Sequence, residues 1–362
     1  MSNQILDEAY ERLHVTGPEF GGDEEGNNGL SNHGPMAVEV LVRRGHEFDV
    51  PRWLDAYVPR LEKLPKASDR ITGENWRDAL GSGRRVGDWT AFFTSQVSQH
   101  PWRGVLATWW PRLLPGIAAG ATHGVIRVGH AVRTLLAGDD NPAAVTELAH
   151  GLAYWAGRWR AVPGMAAPAG RLDAAAALET VPHLPVQRGV IASRIPKLAN
   201  LPGWSAAVAS LRPADDDAEV EMRLADLIDA ATLRYLGHAH GSPVLLVHTA
   251  TAPNAVLHTL PALPPELWAP SLSAVWCGSA AIVAMYEPTD AAPRSELPVA
   301  PETTDPAAEV VERAAAHADE HVIKLADTAA EAYTRTGNTD ALAAAVRASQ
   351  LLEPRGSGAA KG

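Results

Sequence analysis

Cysteine is nearly absent from this sequence, which contains one, Cys277, in 362 residues. A single cysteine excludes an intramolecular disulfide and any zinc site built from several thiolates. Positive charge is also in deficit, since the formal net charge is −11 and no run of Lys or Arg interrupts the chain. Nucleic-acid binding depends on clustered cations that neutralise phosphates, so we expect no nucleic-acid partner.

Signals for export and membrane insertion are lacking as well. The N-terminal stretch MSNQILDEAYERLH is polar and acidic, without the basic start and apolar run of a signal peptide. The most apolar long stretch, 105–126, is interrupted by Pro111, Arg112 and Pro115, and we interpret it as buried protein and not as a membrane span. We therefore expect a cytoplasmic protein without a membrane partner. The oligomeric state stays open, with a homodimer as one option.

The common catalytic loops are missing too. GSGRRVG, at 81–87, has the wrong glycine spacing for a dinucleotide loop and follows no predicted strand. There is no phosphate loop, no GxSxG elbow and no Cys/His pair for nucleophilic catalysis. Any chemistry must come from other residues.

Helix signals dominate what is present, and they predict an all-α fold. We expect one large helical domain over 1–354 with long irregular loops, followed by a disordered tail at 355–362. Helical spacing of apolar residues predicts a helix over 51–64, and a further helix should run from Asp305 to Gly337. The apolar residues of 243–260 fit a helix or a strand.

Histidine is the abundant residue with chemical potential, at 14 copies. Five segments embed it in apolar sequence: SNHGPMAVEVL, ATHGVIRVGHAV, HAHGSPVLLVHTA, NAVLHTL and DEHVIKLA. One buried histidine is usually a hydrogen-bonded core residue, but several together favour a metal site. His123 and His130 share a helical face with Arg127, and His317 and His321 are four residues apart. Each pair could be a metal site or a solvated stripe.

The stretch DEHVIKLADTAAEAY places His321 and Lys324 on one helical face, toward the core. Burial would lower the pKa of Lys324 and leave a neutral amine. A neutral amine reacts with carbon dioxide to give a carbamate, an anion that binds metals. The alternative is that Lys324 packs its stem and extends its amine to the surface.

Four segments in order resemble the questin oxidase family: NHGPMAVEVLVRRG (32–45), HGVIRVGHAVR (123–133), LLVHTATAPNAVL (245–257) and DEHVIKLADTAAEAY (319–333). The family includes fungal enzymes that open anthraquinone-type rings in aromatic polyketide pathways. The resemblance implies an oxidoreductase with a small aromatic substrate and O2. One reading is a non-haem iron dioxygenase or monooxygenase, and another is a metal-free Baeyer–Villiger-type oxidase that uses NADPH. A protein that binds aromatic ligands without catalysis is the third possibility.

The resemblance also implies a ligand set. Iron(II) would be held by His33, His123, His248 and His321, with Lys324 carrying carbon dioxide as a carbamate. Five ligands leave one octahedral position for O2. The HAH at 238–240 is a rival source of the third histidine. Three further side chains are candidates for positioning or deprotonating a phenol or hydroquinone: His130, Arg127 and Tyr333.

Overall fold

The structure is a computed structural model that describes residues 2–19, 31–138 and 141–355. Helices make up most of it, which confirms the predicted all-α class. In chain order the first are α1 (Ser2–His14), α2 (Gly34–Arg43), α3 (Val50–Tyr57), α4 (Trp76–Ala79), α5 (Val86–Gln99), α6 (Trp102–Leu113), α7 (His123–Ala137), α8 (Pro142–Arg158) and α9 (Ala174–Glu179). The rest are α10 (Ile191–Arg194), α11 (Trp204–Ser210), α12 (Asp217–His238), α13 (Pro243–Leu246), α14 (His248–Thr259), α15 (Trp268–Tyr286), α16 (Pro306–His317), α17 (Glu320–Thr336) and α18 (Thr339–Leu351).

The predicted tail at 355–362 lies outside the described residues, apart from Arg355. The segment 243–260, for which sequence left helix or strand open, is helical and forms α13 and α14.

Two short strands pair near the N-terminus. Strand β1 (Thr16–Glu19) runs antiparallel to β2 (Leu61–Lys63), with Glu19 opposite Leu61. The predicted helix over 51–64 is therefore wrong beyond Tyr57. Pro59 lies in the short 3-10 turn that follows and offers no backbone N–H, and the chain is extended from Leu61 onward. The pairing holds Glu19 at the edge of the helical body.

The predicted helix from Asp305 to Gly337 is in fact two helices. Ala318 adopts φ 62°, in the left-handed region, and ends α16. Asp319 then caps α17, since its Oδ1 accepts hydrogen bonds from the N–H groups of His321 at 2.9 Å and Val322 at 3.3 Å. The break places His321 in the first turn of a new helix.

The left-handed residue at this break supports a stability prediction. Ala318→Gly should raise the free energy of unfolding by about 1 kcal/mol, because glycine reaches positive φ without the clash that Cβ causes. Ala315→Gly, in the body of α16, is the matched control and should lower it by about 1 kcal/mol. Urea denaturation of both variants measures the two values. Equal effects of the same sign would contradict the assignment of strain to Ala318.

Four of the helices, α2, α7, α14 and α17, pack in a ring. Helix α2 contacts α7 and α17, and α14 contacts the same two helices. Helix α15 packs on α14 from outside the ring. The ring fixes the relative positions of four helix N-termini that lie far apart in the sequence.

One apolar helix segment in the described part of the chain, Pro265–Tyr286, is long enough to cross a membrane by length and composition. Within its apolar window, 72% is buried inside the protein. Such burial is typical of a core helix in a soluble protein. The apolar stretch 105–126 forms α6, a turn and the start of α7, so it is not one continuous span.

Candidate metal centre

The four predicted histidines meet at the N-termini of the ring helices. His33 immediately precedes α2, His123 and His248 are the first residues of α7 and α14, and His321 is the second residue of α17. All four are buried. Neighbouring rings have centroids separated by 4.3 Å, for His123 and His248, up to 6.1 Å, for His123 and His321.

Two of the rings are oriented by the same local hydrogen bond. The Nδ1 of His123 lies 2.5 Å from the carbonyl oxygen of Gly120, and the Nδ1 of His248 lies 3.2 Å from that of Leu245. In each case the carbonyl is three residues earlier in the chain. Because a carbonyl oxygen only accepts, each Nδ1 donates and carries the proton of the neutral ring. The Nε2 atom of both residues then carries a free lone pair.

The hydrogen bond between His123 and the Gly120 carbonyl depends on a strained backbone turn. Gly120, Ala121 and Thr122 all have positive φ, at 59°, 53° and 62°. A left-handed turn with two non-glycine residues is costly and persists where the surrounding structure enforces it. This turn brings the Gly120 carbonyl to the His123 ring.

His33 is oriented by a carboxylate. Its Nδ1 lies 2.6 Å from Oε1 of Glu19, the last residue of β1. Burial by itself raises the pKa of Glu19, but His33, the Tyr57 hydroxyl and Arg60 outweigh that effect and lower the pKa to about 2. Glu19 is thus an ionised acceptor, and the His33 proton lies on Nδ1. A carboxylate behind a histidine is typical of metal ligands.

The Nε2 atoms of three of the histidines converge. His123 Nε2 lies 2.8 Å from His33 Nε2 and 3.0 Å from His248 Nε2. Burial, followed by the neighbouring His248 and His33, lowers the pKa of His123 well below its usual value, so a protonated ring is disfavoured. Burial, followed by Lys324, does the same to His248. Neutral rings whose Nε2 lone pairs face one another repel, and a metal cation between them removes that repulsion.

His321 and Lys324 complete the cluster. The Nε2 of His321 and the Nζ of Lys324 are buried without a hydrogen-bond partner among the described residues, while His321 Nδ1 lies 3.5 Å from Oδ1 of Asp319. The possible ligand atoms of His33, His123 and His321 all lie within 4.8 Å of one another. Lys324 is 1% exposed, so the alternative in which its amine reaches the surface is wrong. Burial lowers the pKa of Lys324 to about 8, and burial followed by Lys324 lowers that of His321 to about 4.

Sequence reasoning missed the acidic surround of the cluster. Arg60 bridges Glu19, at 2.9 Å, and Glu320, at 3.1 Å, next to His33 and His321. Arg355 contacts Asp319 at 3.0 Å on the same side. Asp319 and Glu320 directly precede His321, so their position in sequence was a usable signal. Glu19 has no such signal, because the β1–β2 pairing brings it to the cluster.

The predicted positioning residues lie elsewhere. Arg127 forms a buried ion pair with Glu147 and lines a separate cavity of about 310 Å3. The Nδ1 of His130 lies 2.8 Å from Glu39, and Tyr333 is half-buried near the C-terminus of α17. Among the described residues, these three do not line the cavity beside the four histidines. Neither His238 nor His240 lines it, so the structure brings His248 to the other three and not these rivals.

That cavity has a volume of about 530 Å3, within the usual range for small-molecule sites. The four histidines His33, His123, His248 and His321 are all among its lining residues. Much of its remaining wall is glycine and aliphatic: 119–121, 189–192, Ile195, Val244 and Leu245. The site thus combines a nitrogen-rich centre with a largely apolar cavity.

Fold and site together define an all-α protein with a buried polyhistidine centre beside an apolar cavity. Residues 54–159 match a family model described as Questin oxidase-like, which confirms the resemblance that the sequence motifs indicate. The description indicates an oxidase, hence an oxidoreductase with a small-molecule substrate. The matched residues include His123, whereas the other three histidines lie outside them. A search of curated proteins gives no match.

Proposed function

We propose that this protein is a non-haem iron-dependent oxygenase that acts on a polycyclic aromatic polyketide. The substrate would be an anthraquinone- or anthrone-like phenol or hydroquinone, and O2 would cleave a ring C–C bond or be inserted. The observation that carries the proposal is the contact of His123 Nε2 with the Nε2 atoms of His33 and His248 at 2.8 and 3.0 Å. Three buried imidazole nitrogens that converge at these distances are suited to holding one metal ion.

The residues that would hold iron are His33, His123, His248, His321 and the carbamate of Lys324. When bound, iron(II) supplies the one-electron chemistry that activates O2. The carbamate forms when the lone pair of the neutral amine adds to the carbon of carbon dioxide and the N–H proton leaves to water. The lowered pKa of Lys324, about 8, leaves a minor neutral fraction of the amine at pH 7, far larger than that of an ordinary lysine, and carbamate formation draws on that fraction.

An anionic fifth ligand also fits the electrostatics of the ring. Each helix N-terminus carries roughly +0.5 elementary charge, and four of them point at this site. Four neutral imidazoles do nothing to offset that potential, which opposes a cation. The negative charge of a carbamate on Lys324 would offset this positive potential within the cluster. Glu19 and Glu320 lie behind the proposed ligands and add further negative charge.

The chain's other residues would bind the substrate and exclude water. Gly120 and Ala121 border the cavity directly before His123, and Val244 and Leu245 border it before His248. An aromatic ring against these residues would lie next to the two imidazoles. The aliphatic wall at 190–192 would cover its other face and keep bulk water from the reacting carbon.

The test is the metal content of purified protein after reconstitution with iron(II). We expect close to one iron per chain, loss of O2 consumption with an anthraquinone hydroquinone on chelation, and loss of iron in His248→Ala. His317→Ala is the matched control, because its Nε2 contacts the Leu352 carbonyl at 3.1 Å outside the cluster, and it should keep its iron. Chelator-resistant, NADPH-dependent turnover would instead favour the metal-free oxidase.

A further inference from the structure

One tyrosine in the wall of the 530 Å3 cavity has a hydroxyl without an internal partner. Tyr286, the last residue of α15, lines this cavity and is 8% exposed. Its hydroxyl forms no hydrogen bond within 2–19, 31–138 and 141–355, the described parts of the chain. Buried tyrosine hydroxyls usually find a partner, so this one is available to a ligand in the cavity.

Other polar side chains of the lining already have partners inside the protein. The hydroxyl of Tyr154, a second lining tyrosine, hydrogen-bonds Ser31. The two lining carboxylates, Glu19 and Glu320, share one arginine at 2.9 and 3.1 Å. No contact within the described residues competes in this way for the hydroxyl of Tyr286.

The ring of Tyr286 is held in position by an arginine. The guanidinium of Arg194 lies 4.1 Å from the centre of this ring. The guanidinium is itself fixed, since it donates hydrogen bonds to the backbone carbonyls of Gln187, Gly189 and Met285. The direction of the Tyr286 hydroxyl is therefore set before a ligand arrives, which lowers the entropy cost of binding.

The same arginine suits the hydroxyl to an anionic acceptor. A cation over an aromatic ring draws on its electron density, and this makes the phenol a stronger donor. Burial nevertheless raises the pKa of Tyr286, an effect that Arg194 only partly offsets, so the hydroxyl keeps its proton at neutral pH. Arg194 also occupies the Met285 carbonyl and so offsets the negative end of the α15 dipole, which would oppose an anion.

We propose that the Tyr286 hydroxyl donates a hydrogen bond to an ionised phenol oxygen of the substrate, whose ring system lies against the aliphatic wall of the same cavity. The inference rests on the proposed function and adds to it a binding residue and a feature of the substrate. That feature is an ionised phenol on the edge that faces the C-terminal end of α15. A charged acceptor is favoured because hydrogen bonds to ionised oxygens are about twice as strong as those to neutral ones.

The test compares two probes of similar shape, 2-hydroxyanthraquinone and 2-methylanthraquinone, at a pH where the free hydroxyl probe is ionised. Absorption titration of chelator-treated protein measures their binding without any catalytic step. In Tyr286→Phe we expect the ionised probe to bind about tenfold to a hundredfold more weakly, which is the contribution of one hydrogen bond to a charged group. The methyl probe should bind the variant and the native protein equally well, because it has no acceptor at that position.

Tyr333→Phe is the matched control, because Tyr333 is half-buried and does not line the cavity, and it should keep the native affinity for both probes. Urea denaturation should show the same stability for Tyr286→Phe and the native protein, since the lost hydroxyl has no internal partner. Undiminished binding of the ionised probe to Tyr286→Phe, an equal loss for both probes, or no binding of either to the native protein would overturn the inference. The measurement uses metal-free protein, so its failure leaves the metal content test untouched, and the reverse also holds.

Discussion

Replacing Lys324 with methionine should abolish iron binding and, at pH 7, raise the free energy of unfolding of the metal-free protein by about 3 kcal/mol. The two effects have one cause. Lys324 is 1% exposed, and its Nζ has no hydrogen-bond partner among the described residues. Methionine has nearly the same shape and no charge to desolvate, but it cannot become a carbamate.

The sign of the stability change follows from the pKa of Lys324, which burial lowers from 10.5 to about 8. Below pH 8 the amine is protonated in both the folded and the unfolded chain, so the cost of burying a charge is present in full. Between pH 8 and 10.5 the unfolded chain binds more protons, and stability rises with pH. The gain from methionine should therefore be largest at pH 7 and fade toward pH 10.5.

Chemical denaturation of chelator-treated protein across this pH range measures the effect, and elemental analysis of the reconstituted protein measures iron. Lys66→Met is the control, because Lys66 is exposed, and it should change neither quantity. A Lys324→Met protein that keeps stoichiometric iron would remove the carbamate from the ligand set. If Lys324→Met were less stable than the native protein at pH 7, burial of the Lys324 amine without a partner would not be the cost that we infer.

The four clustered histidines could be predicted because each sits in a short apolar segment that resembles the family. His33, His123 and His248 all lie at helix starts, where spacing rules place side chains well. The inward direction of Lys324 was also predictable, since it lies three residues after His321 on an apolar face. These features depend on local sequence alone.

Features that depend on tertiary contacts could not be predicted. Ala318 adopts φ 62°, yet alanine is the strongest helix former, so nothing local signals a break there. Its conformation is held by tertiary contacts, among them the hydrogen bond from Trp53 Nε1 to its carbonyl at 2.9 Å. The partner of His33, Glu19, is likewise determined by strand pairing across some forty residues. Neither the conformation of Ala318 nor the position of Glu19 is signalled by helical or strand periodicity in the sequence.

A buried ion-pair network fixes the ring helices to one another below the histidines. Arg133, on α7, donates to Glu39 on α2 and to Asp327 on α17, each at 2.8 Å. These three helices carry His33, His123 and His321. Burial alone raises the pKa of Glu39, but Arg133 and His130 outweigh it and lower the pKa to about 2. The network therefore sets the spacing of three proposed ligands from one to three turns further along their helices.

Arg133→Met should lower the free energy of unfolding by about 3 kcal/mol, because it removes the buried cation that pairs with Glu39 and leaves Asp327 with only Arg43 and Arg44. Iron affinity should fall as well, since the three helices are no longer held in register. Arg313→Met is the matched control: its ion pair with Glu309 is largely exposed, and its loss should cost under about 1 kcal/mol. Urea denaturation at neutral pH, with iron titration alongside, measures both effects.

The pH dependence of this difference provides an independent check. Glu39, with its pKa lowered from 4.5 to about 2, stabilises the native protein above pH 4.5, and that contribution is lost as the pH falls toward 2. The gap in stability between the native sequence and Arg133→Met should therefore narrow on acidification, because the native protein loses what the variant already lacks. A gap that stays constant between pH 7 and pH 3 would mean that Arg133 stabilises the ring by packing of its aliphatic stem and not by pairing with Glu39 and Asp327.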